Sequence, residues 1–272
     1  MPLSLTSRLF DALGVRHGFT LRAGGASEGA YASLNLGRAV GDDAAKVERN
    51  WTTLAASLGA RVEDFAAAHQ VHGDRVLVAS RGERGVRFAE ALPGTTSAPA
   101  PPGSAAEGAG APPADAVLAS DASLAASVRV ADCAPLLLVA PRERVVAAVH
   151  AGWRGARLCI GARAVRALAS TFGADAGEVV AAIGPCIRRC CYEVSDALAD
   201  EFRAAFGAGA AEGRKLDLPF ALRAALVEAG VRGDRIELVG GCTACEPGRY
   251  FSHRRDKGTT GRHVAFAFPP DA

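Results

Sequence analysis

The stretch Arg129 to Gly155, RVADCAPLLLVAPRERVVAAVHAGWRG, limits what this chain can fold into more than any other segment. It holds two apolar runs, Pro135 to Ala140 and Val145 to Val149. Each is rich in Val and Leu and too short for a globular helix, and Pro-Arg-Glu-Arg separates them. The pattern predicts a β-hairpin. If Ala140 pairs with Val145, His150 falls opposite Pro135 and diagonal to Cys133, and Cys133 shares a face with Pro135 because strand side chains alternate. Diagonal neighbours have Cα atoms roughly 7–8 Å apart, so a thiolate and an imidazole can meet on one metal or exchange a proton. The chain then turns through Ala-Gly-Trp-Arg-Gly into Ala156 to Phe172, which has helical spacing and Gly173 as its stop. Strand, Gly-containing turn and helix N-terminus make an anion site to which Arg154 can contribute. The active centre is expected here.

With 272 residues, 49% of them hydrophobic, the chain can bury a sizeable core. A net charge of +2 provides no general basic field, which argues against nucleic acid or an acidic membrane as the main partner. No segment approaches the roughly 20 apolar residues of a membrane span, and the first residues lack the pattern of a signal peptide. Seven cysteines, an odd number in a large chain, point to reduced thiols rather than a disulfide framework. A cytoplasmic protein, monomeric or weakly homo-oligomeric, is expected.

Along the chain, His17 to Phe19 reads as a short strand entering LRAGGASEGAYASLNLG, a loop that carries Arg22, Ser33 and Asn35. Such loops contact ligands, but Ser and Asn there also serve ordinary turn chemistry. Asp42 and Asp43 can cap a helix to about Leu58, with Val47, Trp51, Leu54 and Leu58 as its buried stripe. FAAAHQVHG and RVLVAS read as two strands about a turn at Gly73-Asp74, bringing His69, Gln70 and His72 together. Of these, His72 at the strand end is the favoured site residue. From Pro93 to Ala114 the chain is almost wholly Pro, Gly, Ala and Ser and reads as a surface insertion without function. Strands follow at Asp115 to Ser120 and Ala125 to Val130, feeding the central hairpin. Further strands are expected in EVVAAIGPC, Arg235 to Val239 and His263 to Phe268, and helices from Ser195 to Phe206 and Leu218 to Ala229. The fold class is α/β of the α+β-like kind: a mixed, largely antiparallel sheet layered with helices, in one domain spanning residues 1–272.

HGFTLRAGGASEGAYASLNLG, QVHG, RVADCAPLLLV, AVHAGWRG, AAIGPCIRRCCYEV and YFSHRRDKGTTGR together resemble the successive signatures of the YfiH/laccase-domain family. Its members are described as polyphenol oxidases or multicopper-oxidase-like proteins and as purine nucleoside phosphorylases. The resemblance runs from Arg16 to Arg262. It implies a YfiH-like fold, related to cysteine hydrolases of the cytotoxic necrotizing factor type. It also implies zinc bound by His72, Cys133 and His150, the residues that would carry catalysis. Two imidazoles and a thiolate leave a fourth position open, as in catalytic zinc sites. The implied activity is phosphorolysis of adenosine, inosine, guanosine and methylthioadenosine, with adenosine deamination. Purine nucleosides and inorganic phosphate would then be the partners, with Arg22, Ser33, Asn35, Gln70 and Arg154 as candidate substrate contacts.

Three other functions compete. Cys133 and His150 can form a Cys-His dyad, as in a cysteine hydrolase or amidase acting in peptidoglycan precursor editing. Copper oxidation is implied by the family's older name, but six histidines are too few for a multicopper set. A nucleotide-binding module would not require convergent Cys and His. Asp132 falls on the opposite strand face from Cys133, so a role for it needs a bend. His253, Arg254 and Arg255 either line the pocket or form a charged turn. Cys242 and Cys245 form a CxxC to which Cys186, Cys190 or Cys191 could add, although a structural zinc site usually shows two well-spaced pairs.

Overall fold

A computed structural model describes residues 2–83, 85–92 and 111–271. The apolar runs build two sheets. In the seven-stranded sheet the order is β13 (Ile236–Leu238), β10 (Val180–Ile183), β8 (Ala134–Ala140), β9 (Val145–Ala151), β6 (Ala116–Ala119), β4 (Val76–Gly82), β5 (Gly85–Glu90). The five-stranded sheet runs β1 (Ser4–Leu5), β2 (His17–Thr20), β14 (His263–Ala267), β7 (Ala125–Val130), β3 (Phe65–Ala66). Among the named strands of the described residues, the β3–β7, β4–β6 and β10–β13 pairings are parallel and the others antiparallel. A small ribbon, β11 (Ala211–Glu212) with β12 (Lys215–Leu216), lies apart.

The hairpin strands are buried at every position, and apolar at all of them but His150, because both of their faces are covered. Leu136, Leu138, Val145, Ala147 and Val149 point to one side, against α4 (Ile160–Phe172), α5 (Asp196–Phe206) and α6 (Leu218–Glu228). Leu137, Val139, Val146 and Ala148 point to the other, where they meet Phe19, Val128, Ala265 and Ala267 of the five-stranded sheet. Beyond that sheet, Val264 and Phe266 pack on Val47, Trp51 and Leu54 of α2 (Ala44–Ser57). The layers are therefore helix, sheet, sheet, helix. A short α1 (Arg8–Asp11) packs beside β10. No helix among the described residues is long and apolar enough to cross a membrane.

The hairpin register is as predicted: Ala140 pairs with Val145 and Pro135 with His150. Asp43 caps α2, Ser195 caps α5, and Gly173 ends α4 in the left-handed conformation at φ 76°. Four expectations need correction. β3 and β4 are not a hairpin but belong to different sheets, since apolar runs do not name their partners. β7 likewise leaves the hairpin's sheet for the other one. The helix expected over 156–172 is broken into α3 (Trp153–Arg157) and α4, with Cys159 at φ 55° between them. The insertion also ends earlier than its composition implied. Pro112 accepts a hydrogen bond from His69 N–H, Ala114 is fully buried, and residues 93–110 lie outside the described residues.

Leu137 has no solvent exposure and sits between the two sheets. Leu137→Ala is expected to destabilise the protein by about 2–5 kcal/mol through lost burial and a residual cavity, measured by denaturant unfolding.

Candidate metal centre

Asp115 immediately precedes β6, is 1% exposed, and joins three chain segments. Its carboxylate accepts the successive backbone N–H groups of Val71, His72 and Gly73 at 3.1, 2.9 and 2.7 Å. The same carboxylate lies 2.7 Å from His150 Nδ1, and its backbone carbonyl accepts from His150 N–H at 2.7 Å. The loop is wrapped so tightly that His72 takes φ 61°, a conformation that costs a non-glycine residue about 1–3 kcal/mol. Three N–H bonds to a buried carboxylate offset that strain. Asp74, next along, is buried against Arg163 of α4 at 3.2 Å.

The result is convergence. One ligand atom from each of His72, Cys133 and His150 lies within 4.8 Å of the others. The two imidazoles meet edge to face, with centroids 4.7 Å apart. With Nδ1 turned to Asp115, His150 directs Nε2 toward the thiol. Gly152 lies over the group for lack of a side chain, since a Cβ there would stand 3.0 Å from Cys133 Sγ and 3.3 Å from the His72 ring. His72 Nδ1 is buried without a hydrogen-bond partner among the described residues.

Burial by itself would push the Cys133 thiol up, but the His150 imidazole and hydrogen bonds from both histidines hold it down at about 6. Burial would lower His150, yet the Cys133 thiolate and the Asp115 carboxylate raise it to about 10. The thiolate's contribution to stability is present above the ordinary thiol value and is lost as pH falls through about 6. The imidazolium's contribution is present below the ordinary histidine value and is lost as pH rises through about 10. Without a metal the pair is therefore ionised between those limits. Thiolate and imidazoles suit a soft or borderline cation, and the three donors leave a coordination position free.

Other expected contacts serve the scaffold. Asn35 has no exposure; its amide donates to Gly37 O and Asp42 and accepts from Gly37 and Arg262 N–H. Ser33 donates to Arg22 O and accepts from Gly25 N–H. Gln70 clamps the Arg129 backbone through both amide atoms at 2.8 Å. Arg22 donates to Ala32 O and Pro247 O and stacks over Phe251. Arg154 differs: it is exposed, stacks over Trp153, and pairs with no carboxylate among the described residues. Because α3 has only five residues, the anion argument rests on this guanidinium and not on a helix dipole. The bend that Asp132 required is present at φ 85°, but its carboxylate accepts from Thr243 Oγ1 and Arg254 N–H, both at 2.6 Å. Sequence reasoning missed Asp115, which reads there as an ordinary strand start. It also missed Tyr192, buried, with its phenol pushed up by burial and by the nearby Cys133 thiolate. Arg255 proves structural, donating to Asp256, Thr243 O and Tyr250 O.

A doubly covered mixed sheet with a half-buried to buried His–Cys–His group at the hairpin end defines a class: α/β proteins with a group at that point that could hold one metal ion. The chain belongs to the family described as multi-copper polyphenol oxidoreductase laccase, which matches residues 16–269. It is 35% identical over 260 residues to a protein named purine nucleoside phosphorylase YlmD from Geobacillus stearothermophilus, covering 92% of this chain and 88% of that one. It is 40% identical over 255 residues to a protein named purine nucleoside phosphorylase from Deinococcus radiodurans, covering 92% and 87%. The crystal structure of YlmD from G. stearothermophilus superposes with a TM-score of 0.82 at 31% identity, over the whole of both chains. That of the hypothetical protein YfiH from Bacillus licheniformis gives 0.83 at 31% identity, over 99% of this chain and 97% of that one. His17 and His263 are buried in backbone hydrogen bonds elsewhere, and only His72 and His150 join a metal-capable group among the described residues.

In metal-stripped protein, alkylation of Cys133 is expected to accelerate through a midpoint at about 6, read by peptide mass spectrometry across pH. A midpoint near the ordinary thiol value of 9.0 would contradict the ion pair.

Proposed function

We propose that this chain is a zinc-dependent purine nucleoside phosphorylase, converting adenosine, inosine, guanosine or methylthioadenosine and phosphate to base and ribose 1-phosphate. Adenosine deamination is proposed as a second activity. The observation that carries the reading is the convergence of His72, Cys133 and His150 on an open position, with Asp115 behind His150. The names of the relatives support the substrate class. The proposed setting is the cytoplasm, where seven free thiols stay reduced, with the chain monomeric or weakly associated.

His72, Cys133 and His150 would hold the ion, and the donor set fits zinc. His150 can present a neutral Nε2 because Asp115 accepts from Nδ1, the carboxylate–histidine arrangement that orients zinc ligands. A blue-copper site would add a weak axial ligand, usually Met, and the chain's single methionine is its first residue. Bound there, zinc supplies Lewis-acid polarisation of an oxygen on substrate or water. Arg154 is the proposed phosphate contact, being exposed, two residues after the Gly152 that lies against the centre, and free of carboxylate partners among the described residues. Ser33, Asn35, Gln70 and Arg22 would act indirectly, by shaping the loops around the pocket.

A second reading has its own support. The Cys133 thiolate facing a His150 imidazolium is the ground state of a cysteine hydrolase or amidase, and peptidoglycan precursor editing is the proposed setting for that chemistry. Metal content separates the two, because a thiolate held by zinc is not a free nucleophile.

The test combines zinc analysis with phosphorolysis and deamination of adenosine across a phosphate titration. Cys133→Ser should remove one zinc equivalent and both activities. Arg154→Ala should raise the phosphate KM, or lower kcat/KM for phosphorolysis, by about one to two decades, with deamination much less affected. Unchanged zinc in Cys133→Ser would refute the ligand set, and equal losses of both reactions in Arg154→Ala would refute the phosphate contact.

A further inference from the structure

Four cysteines outside the His–Cys–His centre come together from two separate turns. Cys190 and Cys191 lie in the turn that follows Arg188, and Cys242 and Cys245 in the turn after β13. Their four Sγ atoms all lie within 4.8 Å of one another, with Cys190 to Cys245 at 3.5 Å and Cys191 to Cys245 at 3.3 Å. Four thiolates at about 2.3 Å from one zinc in a tetrahedron would stand roughly 3.8 Å apart, so small side-chain shifts suffice to seat the ion. Apolar packing accounts for Cys242 and in part for Cys191, but not for Cys190 and Cys245, which are exposed. Cys186 provides the contrast. It is bridged through its backbone to Cys242, yet its side chain is fully buried and stays out of the group. One backbone donor meets a sulfur: Arg188 N–H donates to Cys242 Sγ at 3.4 Å, while the N–H groups of Cys245 and Glu246 close the turn onto Cys242 O at 3.2 and 3.3 Å.

We propose that Cys190, Cys191, Cys242 and Cys245 form a second metal site that holds a structural zinc ion. Four sulfur ligands complete a tetrahedron and leave no open position, which marks a site that holds structure rather than one that turns over substrate. Its place in the fold says what it holds. The first turn fixes Ile187, whose N–H donates to Asp132 O at 2.9 Å. The second fixes Thr243, whose hydroxyl donates to the Asp132 carboxylate at 2.6 Å. Both bonds converge on the residue before Cys133. The ion clasps together the two loops that set the backbone entering the first centre, and Tyr192, directly after Cys191, is carried with them.

This proposal is independent of the nucleoside reading, and the two fail separately. Zinc is measured by mass spectrometry on reduced protein purified with zinc: the wild type, Cys133→Ser, and the double variant Cys242→Ser/Cys245→Ser. The double variant is expected to carry one zinc equivalent fewer than the wild type and to melt at lower temperature. Should it not fold, the soluble Cys133→Ser protein decides the matter, because its remaining zinc should show four sulfur neighbours at about 2.3 Å by X-ray absorption. Nitrogen or oxygen in that shell, no zinc in Cys133→Ser, iron in place of zinc, or disulfides among these cysteines in the intact mass of anaerobically purified protein would each overturn the proposal.

Discussion

The carboxylate of Asp115 is the constraint on which the centre depends. One buried side chain holds the His72 loop by three N–H groups and the His150 ring by Nδ1, so two candidate ligands from distant parts of the chain are placed by a single group. A buried carboxylate is costly unless it is fully bonded, and the bonds it makes here are those that assemble the site. Its own position follows from the sheet. β6 pairs antiparallel with β9 and parallel with β4, which puts Asp115 level with His150 on one side and beside the His72 loop on the other. The apolar strands serve the chemistry by fixing this register, since a slip of one residue would turn His150 to the opposite face.

Much of this was legible in the chain, and the reason is physical. The hairpin could be read to the residue because a short apolar repeat with a four-residue turn leaves one register that buries both strands, and that register brings Cys133 and His150 together. The caps at Asp43 and Ser195 and the stop at Gly173 are local effects and were equally readable. What stayed hidden depends on tertiary partners. Nothing near Asp115 in sequence hints at three N–H groups from residues some forty positions earlier. The break at Cys159 lies within an unbroken helical pattern, where the left-handed turn is imposed by packing. Asn35 and Gln70 looked like ligand contacts because polar residues in Gly-rich or strand-end segments often are. In the fold their amides replace missing backbone partners, which the composition of a loop cannot reveal.

The two cysteine groups differ in the same respects as working and holding sites. Cys133 is sunk among imidazoles that keep it ionised, in a set of three donors with room for a fourth. The four outer cysteines lie on two turns, Cys190 and Cys245 exposed, Cys191 half-buried and Cys242 buried, and their loops converge on Asp132, the residue before Cys133. The sequence shows the CxxC of Cys242 and Cys245 but leaves Cys186, Cys190 and Cys191 open as its partners, because a vicinal pair breaks the usual spacing of such sites. The approach of the two turns brings in Cys190 and Cys191 and leaves Cys186 out.

If Asp115 and the hairpin register prepare a single-ion centre, anomalous X-ray diffraction from crystals of the zinc-loaded protein, recorded on both sides of the zinc absorption edge, should show it. A peak bonded to Cys133 Sγ, His150 Nε2 and a ring nitrogen of His72 is expected, with Asp115 still on His150 Nδ1. A chain with full zinc occupancy elsewhere but no peak among these three residues, or a peak that leaves His150 unbound and paired only to Cys133, would contradict it.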